Sequence, residues 1–269
     1  MNARTDLAIE KDSFISGDRP KGIRRKIFET EKTKVTKISV LDKEAAKAIG
    51  KPVGEYITVE LDEFSYDTEL LDDRMKSIST QISSLLPNGD GTVLVAGIGN
   101  KDITPDALGP RCAEGIFSTR HITSELAEEI GLDRLNPVCS LATGVLGQTG
   151  IETGEIIKSV ADAIKPKAVI VIDALAAAGL ERLGRTVQIT DTGITPGSGV
   201  GNKRAEISKN TLGVPVIAIG VPTVVDAVTL AKDMTGNKTA TESAEAQNMM
   251  VTPREIDVMI ERASKLIAL

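Results

Sequence analysis

The sequence predicts an α/β fold: a mostly parallel central sheet with helices on both faces, joined to an N-terminal region with strands of its own. Three observations lead there. From residue 92 onward, short apolar runs recur at 92–97, 137–142, 168–173, 186–190 and 214–221. Amphipathic segments separate most of them, at roughly 106–117, 122–131, 153–164 and 223–233. Continuous apolar strands alternating with helices form a parallel sheet covered on both faces. Third, hydrophobic residues make up 41% of the chain but aromatics only 2%, with no Trp. The core is therefore built of Val, Ile, Leu and Ala, as buried parallel strands are.

The N-terminal third reads differently. Residues 1–34 are polar and poorly periodic, and two β-like runs follow at 35–40 and 55–61. Between them Lys43 to Ile49 reads as a short helix stopped by Gly50. Leu70, Leu71, Met75, Ile78, Ile82 and Leu85 recur at helical spacing over 67–86, and Pro87-Asn88-Gly89 ends that helix. At the far end, Thr252-Pro253-Arg254-Glu255 predicts a capping box for a last helix over 253–267, after a polar connection at 235–248. The division that results is residues 7–90 as an N-terminal β-containing region and 91–269 as the α/β core, in one compact unit. A chain of 269 residues is long enough for that.

Composition removes several function classes. A net charge of −6 argues against direct DNA or RNA binding, because an acidic surface repels phosphates. The basic stretch Lys21 to Lys37 reads as a solvated loop or edge strand. Cys112 and Cys139 are far apart and outside any C-x-x-C, which suits two thiols in a reducing cytoplasm. No apolar run approaches the ~18 residues of a membrane span, and the N-terminus lacks the apolar stretch of a secretory signal.

Ligands of open parallel sheets collect at the carboxyl ends of strands, and here those ends carry unusual loops. They hold Gly97-Ile98-Gly99-Asn100, Thr104-Pro105-Asp106, Gly144 to Glu152, Asp173 itself, Gly197 to Arg204, and Pro222 to Asp226. None is a phosphate loop: Gly197–Arg204 lacks the Gly-Lys-Ser/Thr triplet, and Gly97-x-Gly99 lacks the third glycine of a dinucleotide site. One histidine, His121, in a polar stretch away from the strand ends, supplies neither a Ser–His dyad nor a histidine metal site. No cofactor is called for. Carboxylates remain. Two in a partly apolar cleft share a proton, one activating water while the other donates to a carbonyl or leaving amine. Asp106 and Asp173 are the candidates, and by pattern alone each serves equally as a helix N-cap. Asp191 and Asp226 cap or bind, Glu152 is a further cleft candidate, and Asp102 is a solvated loop residue.

The same loops resemble the germination protease family of spore-forming bacteria. The matching stretches are RTDLAIE (4–10), GIGN…TPDALGPR (97–111), STRHI (118–122), GVLGQTGIET (144–153), VIDALAA (171–177), TDTGITPGSGVGNKR (190–204), GVPVIAIGVPTVVDAV (213–228) and MVTPREID (250–257). The GIGN loop is also similar to hydrogenase-maturation endopeptidases, a family of related fold. The resemblance implies an atypical aspartic endopeptidase that degrades small acid-soluble spore proteins during germination. It acts as a homotetramer in the spore-core cytoplasm and is made as a zymogen. It also implies Asp106 and Asp173 as the catalytic pair. Family substrates are cut after the first Glu of a motif like Thr-Glu-(Phe/Ile)-Ala-Ser-Glu. Thr5-Asp6-Leu7-Ala8-Ile9-Glu10 is similar to it, which implies self-cleavage between Asp6 and Leu7 and a propeptide of residues 1–6. The alternatives are a hydrogenase-maturation-like endopeptidase, for which a metal-reading histidine at the strand ends is lacking, and a non-catalytic small-molecule or anion binder.

Overall fold

The computed structural model describes residues 5–13, 20–30, 32–64, 73–132, 135–201, 204–235 and 249–269. Chain order begins with α1 (Ala8–Ser13), β1 (Ile23–Glu29), β2 (Lys34–Val40), α2 (Lys43–Ile49), β3 (Gly54–Glu60) and α3 (Asp73–Leu85). It continues with β4 (Val93–Ile98), α4 (Leu108–Gly115), α5 (Ser124–Glu129), β5 (Val138–Gly144), α6 (Leu146–Thr149), α7 (Thr153–Ile164), β6 (Ala168–Ala177) and β7 (Thr186–Thr190). The last elements are α8 (Lys209–Leu212), β8 (Val216–Asp226), α9 (Ala227–Thr235), β9 (Met250–Val251) and α10 (Ile256–Ala268).

The strands form one mixed sheet in the order β1-β2-β3-β7-β8-β6-β4-β5, with β9 added beside the end of β8. The central strands β8, β6, β4 and β5 run parallel. β7 runs antiparallel to β8, and β3 antiparallel to β7, so the N-terminal strands extend the same sheet. Alternation along β4 sorts the two faces, because successive strand residues point to opposite sides. Val93 and Val95 join the cluster of Leu108, Cys112, Ile260 and Leu266 from α4 and α10. Leu94 and Ala96 join Ile157, Ala161 and Leu212 from α7 and α8. A third cluster unites Leu7 and Ile9 with Ile38, Val40, Ile49, Tyr56, Leu175 and Leu183. Helices therefore cover both faces, as the alternation of runs implies.

Several local expectations hold residue for residue. Lys43–Ile49 is helical, with Asp42 capping Ala45 N–H at 2.8 Å and Gly50 closing the helix at φ +65°, a left-handed conformation that glycine adopts freely. The basic stretch contains an edge strand, β1, exposed from Arg24 to Glu29. Other expectations shift. The runs 168–173 and 214–221 continue as strands to Ala177 and through Pro222 to Asp226, because β6 and β8 pair along their whole length with a register shift at Leu175/Ala176. The helix expected over 223–233 consequently starts at Ala227. The capping box at 252–255 does not form. Thr252 donates its hydroxyl to Thr223 carbonyl at 2.9 Å, and α10 starts at Ile256. The polar N-terminus, without periodicity, nonetheless yields α1 and β1. The first part of the helix expected over 67–86 and nearly all of the connection at 235–248 lie outside the described residues.

Candidate active site

β5 and β6 flank β4 on opposite sides, so the chain crosses one way after β4 and returns the other way to β6. That reversal is a topological switch point, where parallel sheets open a crevice at the strand carboxyl ends. The loop after β4 and the end of β6 border it, and they carry Asp106 and Asp173.

Glycines bring the two together. A Cβ on Gly97 would stand 2.0 Å from Gly109 carbonyl oxygen, and one on Gly109 would meet the carbonyl oxygens of Ile98 and Ile172 at 2.2 and 2.4 Å. Only bare backbone lets α4 lie this close to β4 and β6. The turn feeding α4, Thr104–Asp106, is thereby set against Asp173. Gly99, at φ +123°, leaves room for the backbone of Asp106, which a Cβ there would meet at 2.1 Å. Asn100 N–H then donates to Asp106 Oδ2 at 2.7 Å. Asn100 is itself tied down, its Oδ1 accepting from Asp102 N–H at 2.9 Å and Gln148 Nε2 at 2.7 Å.

Neither aspartate caps a helix. Asp106 closes a 3-10 turn, and α4 has no side-chain cap. Asp173 is buried within β6 and accepts the N–H of Ala174 at 2.9 Å. Asp226, by contrast, caps α9 through Thr229 N–H at 3.0 Å. Asp191 accepts Glu55 N–H at 2.8 Å between strands. Glu152 lies on the cavity wall beside Arg204, 3.8 Å away. His121 is exposed in a turn, and Asp102 is exposed as well.

Asp106 and Asp173 line one cavity of about 510 Å³, together with Asp6, Asn100, Glu152 and Arg204. Their electrostatics differ. Burial pushes the carboxyl of Asp173 well above the usual range, and the nearby charges of Asp106 and Asp6 push it further, against one N–H from Ala174. Burial also raises Asp106, but the Asn100 N–H opposes it. Of the two carboxyls, Asp173 is therefore the one pushed harder toward its protonated form. A buried acid beside a carboxylate can both polarise a carbonyl and activate water.

A further carboxylate at this site, besides Glu152, belongs to the N-terminal segment. Asp6 N–H donates to Ala176 carbonyl at 3.0 Å, and Asp6 carboxylate accepts from Ala176 N–H at 3.0 Å and Ser198 Oγ at 2.7 Å. Lys51 Nζ donates to the Asp6 carbonyl oxygen at 2.7 Å. Burial pulls the Lys51 ammonium down to about 8; Lys11 adds to the fall and Asp6 opposes it. Leu7 is wholly buried in the core. Sequence reasoning reached Asp6, Leu7, Asp106 and Asp173 but missed Lys51, Ser198 and Asn100. Ser198 and Asn100 stand in glycine loops that the sequence singles out, whereas nothing local marks Lys51.

A model of the family described as "Germination protease" matches residues 4–237. The chain belongs to the germination protease family. The germination protease of Clostridium perfringens (strain ATCC 13124) is 42% identical, the match covering 99% of this chain and 93% of that protein. That of Clostridium tetani is also 42% identical over 100% of this chain and 94% of its own length. The Bacillus cereus B4264 member is 45% identical over 86% of this chain and 65% of its own length. Among solved structures, a [NiFe] hydrogenase maturation protease, HycI, from Thermococcus kodakarensis is similar at TM-score 0.39 and 21% identity, covering 70% of this chain and 96% of that one. The chain is accordingly a peptidase of germination, and no helix among the described residues is long and apolar enough to cross a membrane.

Proposed function

We propose that this peptidase is an endopeptidase using Asp106 and Asp173 as a catalytic pair. We further propose that it cuts small acid-soluble spore proteins and removes its own residues 1–6 by cleavage between Asp6 and Leu7. The observation that carries the reading is one cavity holding both aspartates and Asp6. Asp106, charged, takes a proton from water as the oxygen adds to the carbonyl carbon. Asp173, protonated, donates to the carbonyl oxygen, takes that proton back as the C=O re-forms, and passes it to the leaving amine as the C–N bond breaks. The products are a carboxyl and an amine, and the pair ends with its proton transposed, to be restored by exchange with solvent. The similarity of residues 5–10 to the family's substrate motif supports self-processing. The homotetramer and the spore-core cytoplasm implied by the resemblance belong to the same reading.

The test is incubation with a peptide containing Thr-Glu-Ile-Ala-Ser-Glu, beside Asp106→Asn and Asp173→Asn variants, with products mapped by mass. Cleavage after the first Glu is expected from the wild type, with a loss of roughly 10²-fold or more in each variant. A variant that cuts at the wild-type rate refutes the assignment. Mature protein still beginning at Met1 or Asn2 refutes the processing site.

A further inference from the structure

The peptide bond between Asp6 and Leu7 is gripped at both of its polar ends. Lys51 Nζ donates to the Asp6 carbonyl oxygen at 2.7 Å, and Leu7 N–H donates to Thr5 Oγ1 at 3.0 Å. Asp6 lines two cavities. One, of about 510 Å³, holds Asp106 and Asp173. The other, of about 400 Å³, holds Lys51 with Lys11, Tyr56 and Glu206. Asp6 therefore stands between the aspartate pair and the Lys51 ammonium.

The chain fixes where that ammonium stands. Lys51 follows Gly50, the left-handed stop of α2, and its N–H donates to Ala46 carbonyl at 3.1 Å. The carbonyl of the next residue, Pro52, accepts the Tyr56 hydroxyl at 2.7 Å. The Lys51 side chain is largely buried. Burial and the neighbouring Lys11 lower its pKa to about 8 and the Asp6 carboxylate opposes the fall, so it stays charged at neutral pH. A buried charge is costly unless it is paired, yet among the described residues no carboxylate forms an ion pair with Lys51. A neutral carbonyl offsets little of that cost. An oxygen carrying negative charge offsets far more, and the Asp6 carbonyl enters that state as water adds to its carbon.

The geometry points to Lys51 as a further catalytic residue, one that stabilises the negative charge building on the Asp6 carbonyl oxygen during cleavage between Asp6 and Leu7. This rests on the cleavage proposed above and adds a third group to its chemistry. A carbonyl oxygen has two lone pairs. Lys51 hydrogen-bonds one and leaves the other to Asp173. It keeps its own protons throughout, so the proton path through Asp106 and Asp173 is unchanged. A mere tether would hold Asp6 equally well before and during the reaction, and losing it would change only how often the segment is docked.

The test separates chemistry from docking. Full-length protein, purified unfolded in urea before it can process, is returned to buffer and followed by mass for the loss of residues 1–6. Lys51→Met and Lys51→Ala are expected to slow that first-order step about 10²–10³-fold, the loss typical of removing one oxyanion donor. Docking is read by hydrogen exchange at Ala176 and Ala178, whose N–H groups donate to Asp6 and Glu10. It is measured in Asp106→Asn protein with and without each Lys51 change, and is expected to alter by less than about ten-fold, the worth of one ordinary hydrogen bond. Ethylamine added to Lys51→Ala is expected to raise cleavage about ten-fold or more by returning an ammonium to the cavity, whereas 1-propanol, similar in size and uncharged, is expected to do nothing. Wild-type rates in the folded variants overturn the role. So does a slowing matched by an equal rise in exchange, which makes Lys51 a tether, or equal rescue by the alcohol. If the wild type never loses residues 1–6, the cleavage reading fails and this role with it; if it does and the variants keep pace, only the role of Lys51 fails.

Discussion

Leu7 anchors the N-terminal segment in the core beside the proposed cleavage point, and truncating it gives a quantitative test of how the N-terminus is held. Its side chain is wholly buried among Ile38, Ile49, Tyr56, Leu175 and Leu183. A Leu→Ala change at a fully buried site costs about 2–5 kcal/mol, the removed methyl groups plus the cavity left behind. Since about 1.4 kcal/mol is a factor of ten, the docking equilibrium of residues 5–13 is expected to shift by roughly 30-fold to a few thousand-fold. The backbone N–H groups of Ala178 and Gly179 donate to Glu10 in that segment, so they report its docking directly. Hydrogen exchange of Leu7→Ala is expected to accelerate there by that factor. Amides of β4, in the centre of the sheet, are expected to slow-exchange as before, because Val93 and Val95 belong to a different cluster. Acceleration of less than about threefold at Ala178 and Gly179 refutes the view that Leu7 anchors the segment. Equal acceleration in β4 refutes the view that the segment is a separable cap and makes it part of the cooperative core.

Two further outcomes follow from the site. Burial and two neighbouring carboxylates hold the folded-state pKa of Asp173 well above its unfolded value near 3.8. The folded chain therefore keeps a proton that the unfolded chain loses, and this group's contribution to stability is full below about pH 3.8 and declines as pH rises through the folded pKa. Asp173→Asn is expected to remove that decline and unfold at higher urea at pH 7 than the wild type while losing cleavage; a steeper decline in the variant refutes the assignment of the proton. Gly109→Ala forces a Cβ against the carbonyl oxygens of Ile98 and Ile172, an overpacking expected to cost about 1–3 kcal/mol or more. It also displaces the turn bearing Asp106, so kcat is expected to fall further than stability alone explains; full activity in a folded Gly109→Ala protein refutes the close-packing account of the site.

Much of the fold is legible in the chain. The apolar runs at 92–97, 137–142 and 168–173 lie within or beside β4, β5 and β6, and the helix at 43–49 falls where its cap residues put it. Boundaries failed where a strand outlasted its apolar signal. Asp173 reads as the end of a strand because a charged residue interrupts the run. The strand in fact carries it inward, because β8 continues to pair beyond it, and Gly220 lies opposite. The aspartate pair was legible as two candidates, but pattern could not separate catalysis from capping. The hydrogen bonds of Asn100 and Ala174 remove the capping alternative, since each carboxylate meets a loop or strand N–H and not a helix end.

The sequence alone determined the class of fold, the composition of the core, the glycine loops at the strand ends and, by resemblance, the kind of protease. These are local or summed properties: periodicity records which side of an element is buried, and glycine records where backbone must approach closely. Only the tertiary structure decided that β7 runs against its neighbours, that residues 5–13 fold back onto the end of β6, and that Lys51 and Ser198 meet Asp6. Those contacts join positions 45 and 192 residues apart. No local pattern encodes a partner at such a distance, because pairing direction and docking are fixed by which surfaces close together once the whole core has formed.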